Sequence, residues 1–301
     1  MLNKISVIIP TKNRPHDLLG AVMSICQQAR LPDELVIIDQ SDTEKNMNVI
    51  NSFMDQYKNI HLIYIYDPEI LGLVDAKRVS VTHATGNILL FLEDDVLLEH
   101  DFIYEIEAGF INNHEMIGCC GVITNPPKTS FFYTTFFKIF HWGIFKDPRI
   151  DALDRSSRTS EVFIPSGMLS GGASAWQCSV FDSIFFDVAN GFHMFEDIDF
   201  SSRVAKYFGP HLYINTRARL AHYCSPINRD LLGARERRKI RECFTYYKKR
   251  KDWPNATISF NWLLLGMLLE SIFQSFSNIS FKPIQGYFLG VRDGFAKKII
   301  A

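Results

Sequence analysis

Short apolar runs recur along the first third of the chain and alternate with longer amphipathic ones. ISVIIP (5–10), ELVIID (34–39), HLIYIY (61–66) and ILLFL (88–92) are dominated by Ile, Val, Leu and aromatic residues, the pattern of strands covered on both faces. Between them, residues 13–28, 46–57 and 74–84 place apolar side chains at the 3.6-residue period of helices. Alternation of this kind predicts an α/β fold, a mainly parallel sheet with helices on both faces. A further short strand is expected at 116–123. The regularity stops over 125–160, which is rich in Pro, aromatics and then charges. It returns with a Gly-rich turn and a strand within 163–181, a helix over 192–208 and a strand over 211–223.

The tail reads differently. Between Arg229 and Lys251 ten Lys or Arg stand against three acids, which predicts a helix with a solvated basic face. Residues 258–281 follow as an apolar helix interrupted by Glu270 and Gln274, better suited to a buried or interfacial position than to spanning a bilayer. With Trp262 at an interfacial place, 229–281 offers contact with an anionic membrane surface, against the alternative of plain core packing. The aromatic stretch Phe131 to Phe145 has two readings as well, a subdomain core or a lid or lipid-touching surface.

Composition changes this picture little. With 301 residues, 22% of them charged, and a net charge of −1, the chain can bury a substantial core and carries no global attraction to nucleic acid. No nucleic-acid partner is expected. Six cysteines without CxxC or zinc spacing read as reduced thiols of a cytosolic protein. The opening apolar run is too short for an export signal and is broken by Pro10.

Candidate chemistry concentrates at the ends of the expected strands, where open α/β sheets bind ligands. Glu93, Asp94 and Asp95 follow ILLFL directly, and Asp39 ends the second strand. Three adjacent carboxylates repel one another, so they either hold a cation or form an exposed acidic turn. Glu196, Asp197 and Asp199 open the later helix, where they serve as acids and bases or merely complement the helix dipole.

SVIIPTKNR (6–14), LVIIDQSD (35–42), AKRVSVTHATGNILLFLEDDV (76–96), SGGAS (170–174) and FEDIDF (195–200) resemble, in order and spacing, the inverting family 2 glycosyltransferases of the Rossmann-like GT-A fold. The resemblance covers roughly residues 4–224. It implies a GT-A domain over 1–224, with a nucleotide-sugar half (1–123) and an acceptor and catalytic half (124–224), followed by a helical basic and apolar appendage (225–301). Donor contacts are implied for Pro10, Thr11, Arg14, Asp39, Lys77 and Asp94. Asp39 would accept a pyrimidine N–H, and Lys77, where the family commonly has Arg, would face the diphosphate. Asp95 and His222 would bind Mg²⁺ or Mn²⁺. Glu93 stands where the family often has Asp, and its longer arm leaves its role open. Asp197 would be the catalytic base, with its pKa lowered by the helix N-terminus; Gly171, Gly172 and Glu196 would lie on the acceptor side.

The expected function is thus metal-dependent inverting transfer of a sugar from a UDP, dTDP or GDP sugar to a saccharide acceptor. The tail suggests an acceptor on a polyprenyl diphosphate, in bacterial surface polysaccharide synthesis, with the protein cytoplasmic and peripheral on the inner face of the membrane. Two other classes stand beside it, a sugar nucleotidyltransferase and a catalytically degenerate, saccharide-binding scaffold. The first would show a Gly-rich loop after the first strand, and PTKNRP has no glycine.

Overall fold

A computed structural model describes residues 3–156, 158, 160–190, 194–227 and 230–296. Arg229, counted in the basic stretch, lies outside the described residues, as does the start of the helix expected from 192. The chain divides into two compact units: Met1–Pro126, Pro148–Val188 and Glu196–Ile227 form one, and Pro127–Asp147, Ala189–Phe195 and Asn228–Ala301 the other. The aromatic stretch 127–147 therefore belongs with the C-terminal helices, not with the acceptor half of a 1–224 domain. The physical reason is Phe140, Ile144 and Phe145, which are buried in the second unit's core.

The first unit is built on strands β1 (Ile5–Thr11), β2 (Glu34–Asp39), β3 (His61–Tyr66), β4 (Ile88–Leu92), β5 (Val96–Leu98), β6 (Gly118–Ile123), β7 (Phe163–Pro165), β8 (Ala173–Gln177) and β9 (Leu212–His222). They form one sheet in the order β3-β2-β1-β4-β8-β6-β9-β5, with β7 pairing β9. β1 to β4 are parallel, and β8 is antiparallel to β4 and β6. Alternate residues enter opposite cores: Ile5, Val7, Ile9, Leu90 and Leu92 lie in one, Ile8, Leu89 and Phe91 in the other. Burial on both faces is why these strands read as continuous apolar runs.

On the first face pack α1 (Pro15–Cys26), α2 (Lys45–Met54) and α4 (Phe102–Asn112), through Leu18, Val22, Ile50, Ile103 and Ile106. On the other lie α3 (Leu73–Val81) and α7 (Glu196–Phe208), through Val74, Phe200 and Val204. The short helix α6 (Arg149–Ser156) adds Ala152 there. β1 hands the chain to β2 on one side while β4 joins it on the other, so the carboxyl ends of β1 and β4 flank a topological switch point.

The second unit contains α5 (Phe131–Phe140), α8 (Leu232–Arg250), α9 (Ala256–Ser277) and α10 (Lys282–Ala296). Phe145, Phe195, Tyr246 and Phe260 stack within it. The expected basic face of α8 is largely spent inside the unit. Arg237 pairs with Asp293 (Nε–Oδ2 2.6 Å), Arg238 with Asp230 (3.0 Å) and Lys239 with Glu270 (2.7 Å). Lys248 donates to the Gly294 carbonyl at 2.7 Å, and Arg250 lies over the Tyr246 ring. The cations are consumed because α9 and α10 run alongside α8, and a buried or half-buried charge needs a partner.

Candidate active site

Strand register assembles the acidic cluster. Ile8 of β1 pairs Phe91 of β4, and three residues further along each strand Thr11 meets Asp94. Leu92 pairs Ala173 of β8, and the Glu93 N–H donates to the Gly172 carbonyl at 3.1 Å. Val96 pairs His222 of β9, which swings the imidazole over the same strand end. Cys224 then takes the left-handed conformation (φ 48°), and the Ser225 N–H donates to Asp95 Oδ2 at 2.7 Å.

The result is a group of three. Glu93, Asp95 and His222 offer ligand atoms within 4.8 Å of one another. His222 Nε2 lies 2.9 Å from Glu93 Oε2 and 3.1 Å from Asp95 Oδ1, and Asp95 Oδ1 is buried without a hydrogen bond of good geometry. Two carboxylates and an imidazole converging this closely fit a hard divalent cation such as Mg²⁺ or Mn²⁺. Hydrogen bonds to Asp95 and Glu93 push the His222 pKa up to about 10 against the effect of burial, so an imidazolium balances the carboxylates. Glu93, the residue whose role the sequence left open, thereby joins Asp95 and His222.

Asp94 is placed otherwise. Its carboxylate is buried, accepting from Thr11 Oγ1 at 2.7 Å and from the Arg14 guanidinium at 2.8 Å. Arg14 also donates to the Ile227 carbonyl at 2.8 Å. Both oxygens of Asp94, for which a donor contact is expected, accept from protein groups. Burial lifts the Asp94 pKa to about 6, Arg14 and Thr11 opposing. Burial acts on Asp95 too, but His222, Ser225 and Arg14 hold it below the usual carboxylate range.

Asp39, expected to accept from a pyrimidine N–H, is enclosed by protein donors. It has no exposed surface. Oδ1 accepts from the Ser41 N–H at 3.0 Å, from the Ser41 hydroxyl and from Asn46 Nδ2, while Oδ2 accepts from the Tyr64 hydroxyl at 2.7 Å. A carboxylate held this way caps the turn after β2. Pro10 and Thr11 are buried at the end of β1.

Across the β8 turn lies a second cluster. Lys77 of α3 is buried and donates to Glu196 Oε1 at 2.6 Å and to the Gly171 carbonyl at 2.8 Å. This differs from the expected diphosphate contact, because the ammonium charge is spent on Glu196. Asp197 follows at the start of α7; its Oδ1 accepts the Ile198 N–H at 2.9 Å, and its Oδ2 lies 3.8 Å from the Arg149 guanidinium. Burial, then the neighbouring Glu196, raises its pKa to about 6 despite Arg149 and Lys77. The expected lowering by the helix terminus is overridden. Arg149 escaped the sequence reading, since α6 lies in a stretch read as irregular; its one signal was Pro148 ahead of the helix.

Gly171 and Gly172 stand between the two clusters. A Cβ on Gly172 would fall 2.7 Å from Glu93 Cδ, and one on Gly171 would collide with Glu196 and lie 3.0 Å from Lys77 Nζ. Only glycine lets the turn approach both sets of acids this closely. Lys77→Met is expected to cost about 3–5 kcal/mol of stability, because it leaves the Glu196 carboxylate buried and unpaired. Urea denaturation of the two proteins measures this.

Comparison with known proteins places this geometry. The chain matches an uncharacterized glycosyltransferase of Haemophilus influenzae at 27% identity over 110 residues, 36% of this chain and 43% of the relative. It matches a PGL/p-HBAD biosynthesis glycosyltransferase of Mycobacterium bovis at 35% identity over 111 residues, 36% of this chain and 42% of the relative. The chain thus spans less than half the length of these relatives. Among solved structures, a mannosyltransferase from Pyrobaculum calidifontis in complex with GDP-Man and Mn²⁺ aligns over 100% of this chain and 77% of its own, at 14% identity and a TM-score of 0.58. GalNAc-T7 with UDP, GalNAc and Mn²⁺ aligns over 84% of this chain and 51% of its own, at 14% identity and 0.61. These likenesses mark the fold as GT-A. Residues 6–185, more than half of the chain, match the Glycosyl transferase family 2 profile; with its sheet, its switch-point carboxylates and its glycine turn, the chain belongs to glycosyl transferase family 2.

Proposed function

We propose that the protein is a metal-dependent, inverting glycosyltransferase that moves a hexosyl or related glycosyl group from a nucleoside diphosphate sugar to a saccharide acceptor. The observation that carries this reading is the Glu93, Asp95 and His222 group at the switch point, separated from Asp197 by the two glycines. Solved structures of similar fold hold GDP-Man or UDP with Mn²⁺, which supports a nucleotide-sugar donor and a divalent cation. The acceptor is carried on a polyprenyl diphosphate at the inner face of the cytoplasmic membrane, in bacterial surface polysaccharide assembly. Support for this comes from the apolar C-terminal helix.

Glu93, Asp95 and His222 would hold the cation, which when bound supplies positive charge against a leaving diphosphate. Arg14 and Thr11 hold Asp94 in place beside them. Asp197 would take the proton of the acceptor hydroxyl on Oδ2, since Oδ1 is engaged by the Ile198 N–H. As that proton leaves, the acceptor oxygen bonds the anomeric carbon. The bond from that carbon to the diphosphate oxygen breaks on the opposite side, and its electron pair departs with the diphosphate.

Calorimetric titration with UDP, dTDP, GDP and CDP, each with Mn²⁺ and with EDTA, tests the reading. One nucleotide is expected to bind, and only with metal; a folded sample that binds none would sink it. His222 carries a proton up to about pH 10, so metal entry must release it. Apparent Mn²⁺ affinity is accordingly expected to rise about tenfold per pH unit between about 6 and 8, and titration in buffers of different ionisation enthalpy counts the proton.

A further inference from the structure

We propose that the open face of α9, with the exposed aromatic side of α5, docks flat onto an anionic lipid bilayer. All of this surface lies within the second unit.

Helix α9 has two apolar sides. One is buried, through Phe260, Leu263 and Met267, and is tied down by the Lys239–Glu270 pair and by the Tyr287 hydroxyl on the Leu264 carbonyl at 3.0 Å. The other exposes Ile258, Trp262, Leu265, Leu269, Phe273 and Phe276, which recur at helical spacing along 22 residues, about 33 Å of helix. Glu270 is the one charged residue of this helix, and it is consumed by Lys239. A solvent-facing helix ordinarily carries charge there. Ile139 and Trp142 continue the face into an open groove of about 750 Å³, and Phe131 and Phe132 are exposed on α5.

The rim selects the occupant. Residues 127–146 contain Lys128, Lys138 and Lys146 and no acid; Lys128 and Lys138 are exposed, as is Lys282 just beyond α9. A second copy of the chain docked by a two-fold axis would bring these lysine rims together, like charge on like. Anionic headgroups complement them, each cation near the surface adding to binding. Half-exposed Trp142 and Trp262 suit the headgroup boundary, where tryptophan concentrates. Because the opposite side of α9 is packed on protein, the helix lies in the plane of the interface and does not span.

The inference is independent of the transfer chemistry, and its test needs no substrate. Full-length protein is sedimented with vesicles of phosphatidylcholine containing about one third phosphatidylglycerol. Phe273 and Phe276 are 72% and 79% exposed, so the double variant Phe273→Glu/Phe276→Glu is expected to keep its melting temperature and lose about tenfold or more in vesicle partitioning. A second double variant, Lys128→Glu/Lys138→Glu, is expected to lose binding to the anionic vesicles. Wild-type protein that stays in the supernatant, or glutamate variants that bind as well as wild type, would overturn the proposal. So would a lipid-free dimer, seen by sedimentation velocity, that Phe273→Glu/Phe276→Glu dissociates.

Discussion

Asp197→Asn is expected to lower kcat by about 10²–10⁴, the usual contribution of a general base, while calorimetric donor binding in the presence of Mn²⁺ stays within about twofold. The amide keeps the oxygen that accepts the Ile198 N–H and removes the proton acceptor. In the wild type the group must be ionised to work, and burial beside Glu196 raises its pKa to about 6. Transfer is therefore expected to fall with unit slope as the pH drops below about 6, and the variant's residual rate should lack that limb. The stability sign runs the other way. A carboxyl whose folded pKa exceeds its ordinary value of about 4 stabilises the protein at lower pH, and that contribution is lost as the pH rises through 6. At neutral pH the asparagine variant is thus expected to melt no lower than wild type, so full transfer by this variant would refute the assignment with no folding artefact to blame.

Asp95→Asn is expected to abolish metal-dependent nucleotide binding. Losing a ligand should exceed the roughly 10–100-fold cost of disturbing an outer partner. Asparagine retains an oxygen for the Ser225 N–H, so the loop after β9 should hold its place. The removed charge is one that His222 and Ser225 keep ionised in the fold. Mn²⁺ titration without nucleotide separates the effects: Asp95→Asn should fail in the metal-only experiment, and Asp197→Asn should pass it.

Much of the sheet was written in its apolar runs, because strands covered on both faces have no polar side to blur the signal. What escaped were elements and contacts fixed by distant partners. β5 is three residues long and exists through its pairing with β9, and α4 follows it, a few residues beyond the acidic cluster. α10 carries Gly286, Gly290 and Gly294, poor helix formers; they are there because side chains would strike Gly233, Ile240 and Phe244 of α8. The site divides the same way. Asp95, His222, Gly171, Gly172 and Asp197 are singled out by motif position; Asp95 and His222 meet in one cluster, Asp197 lies beside the other, and the glycines stand between them. The partners that Asp39 and Lys77 find, Tyr64 and Glu196, come from other elements. No local pattern announces that a carboxylate at a strand end is already saturated.

The imidazole that closes the acidic cluster arrives late. Ser225, which braces Asp95, is 130 residues further along the chain, and His222 stands just before it. A nascent polypeptide that has emerged only as far as β8 has its first four strands and the carboxylates at the tip of β4, yet neither the imidazole nor the backbone donor that steadies them. Glu93 and Asp95 then repel each other without relief. The centre is therefore complete only once β9 has taken its place between β6 and β5.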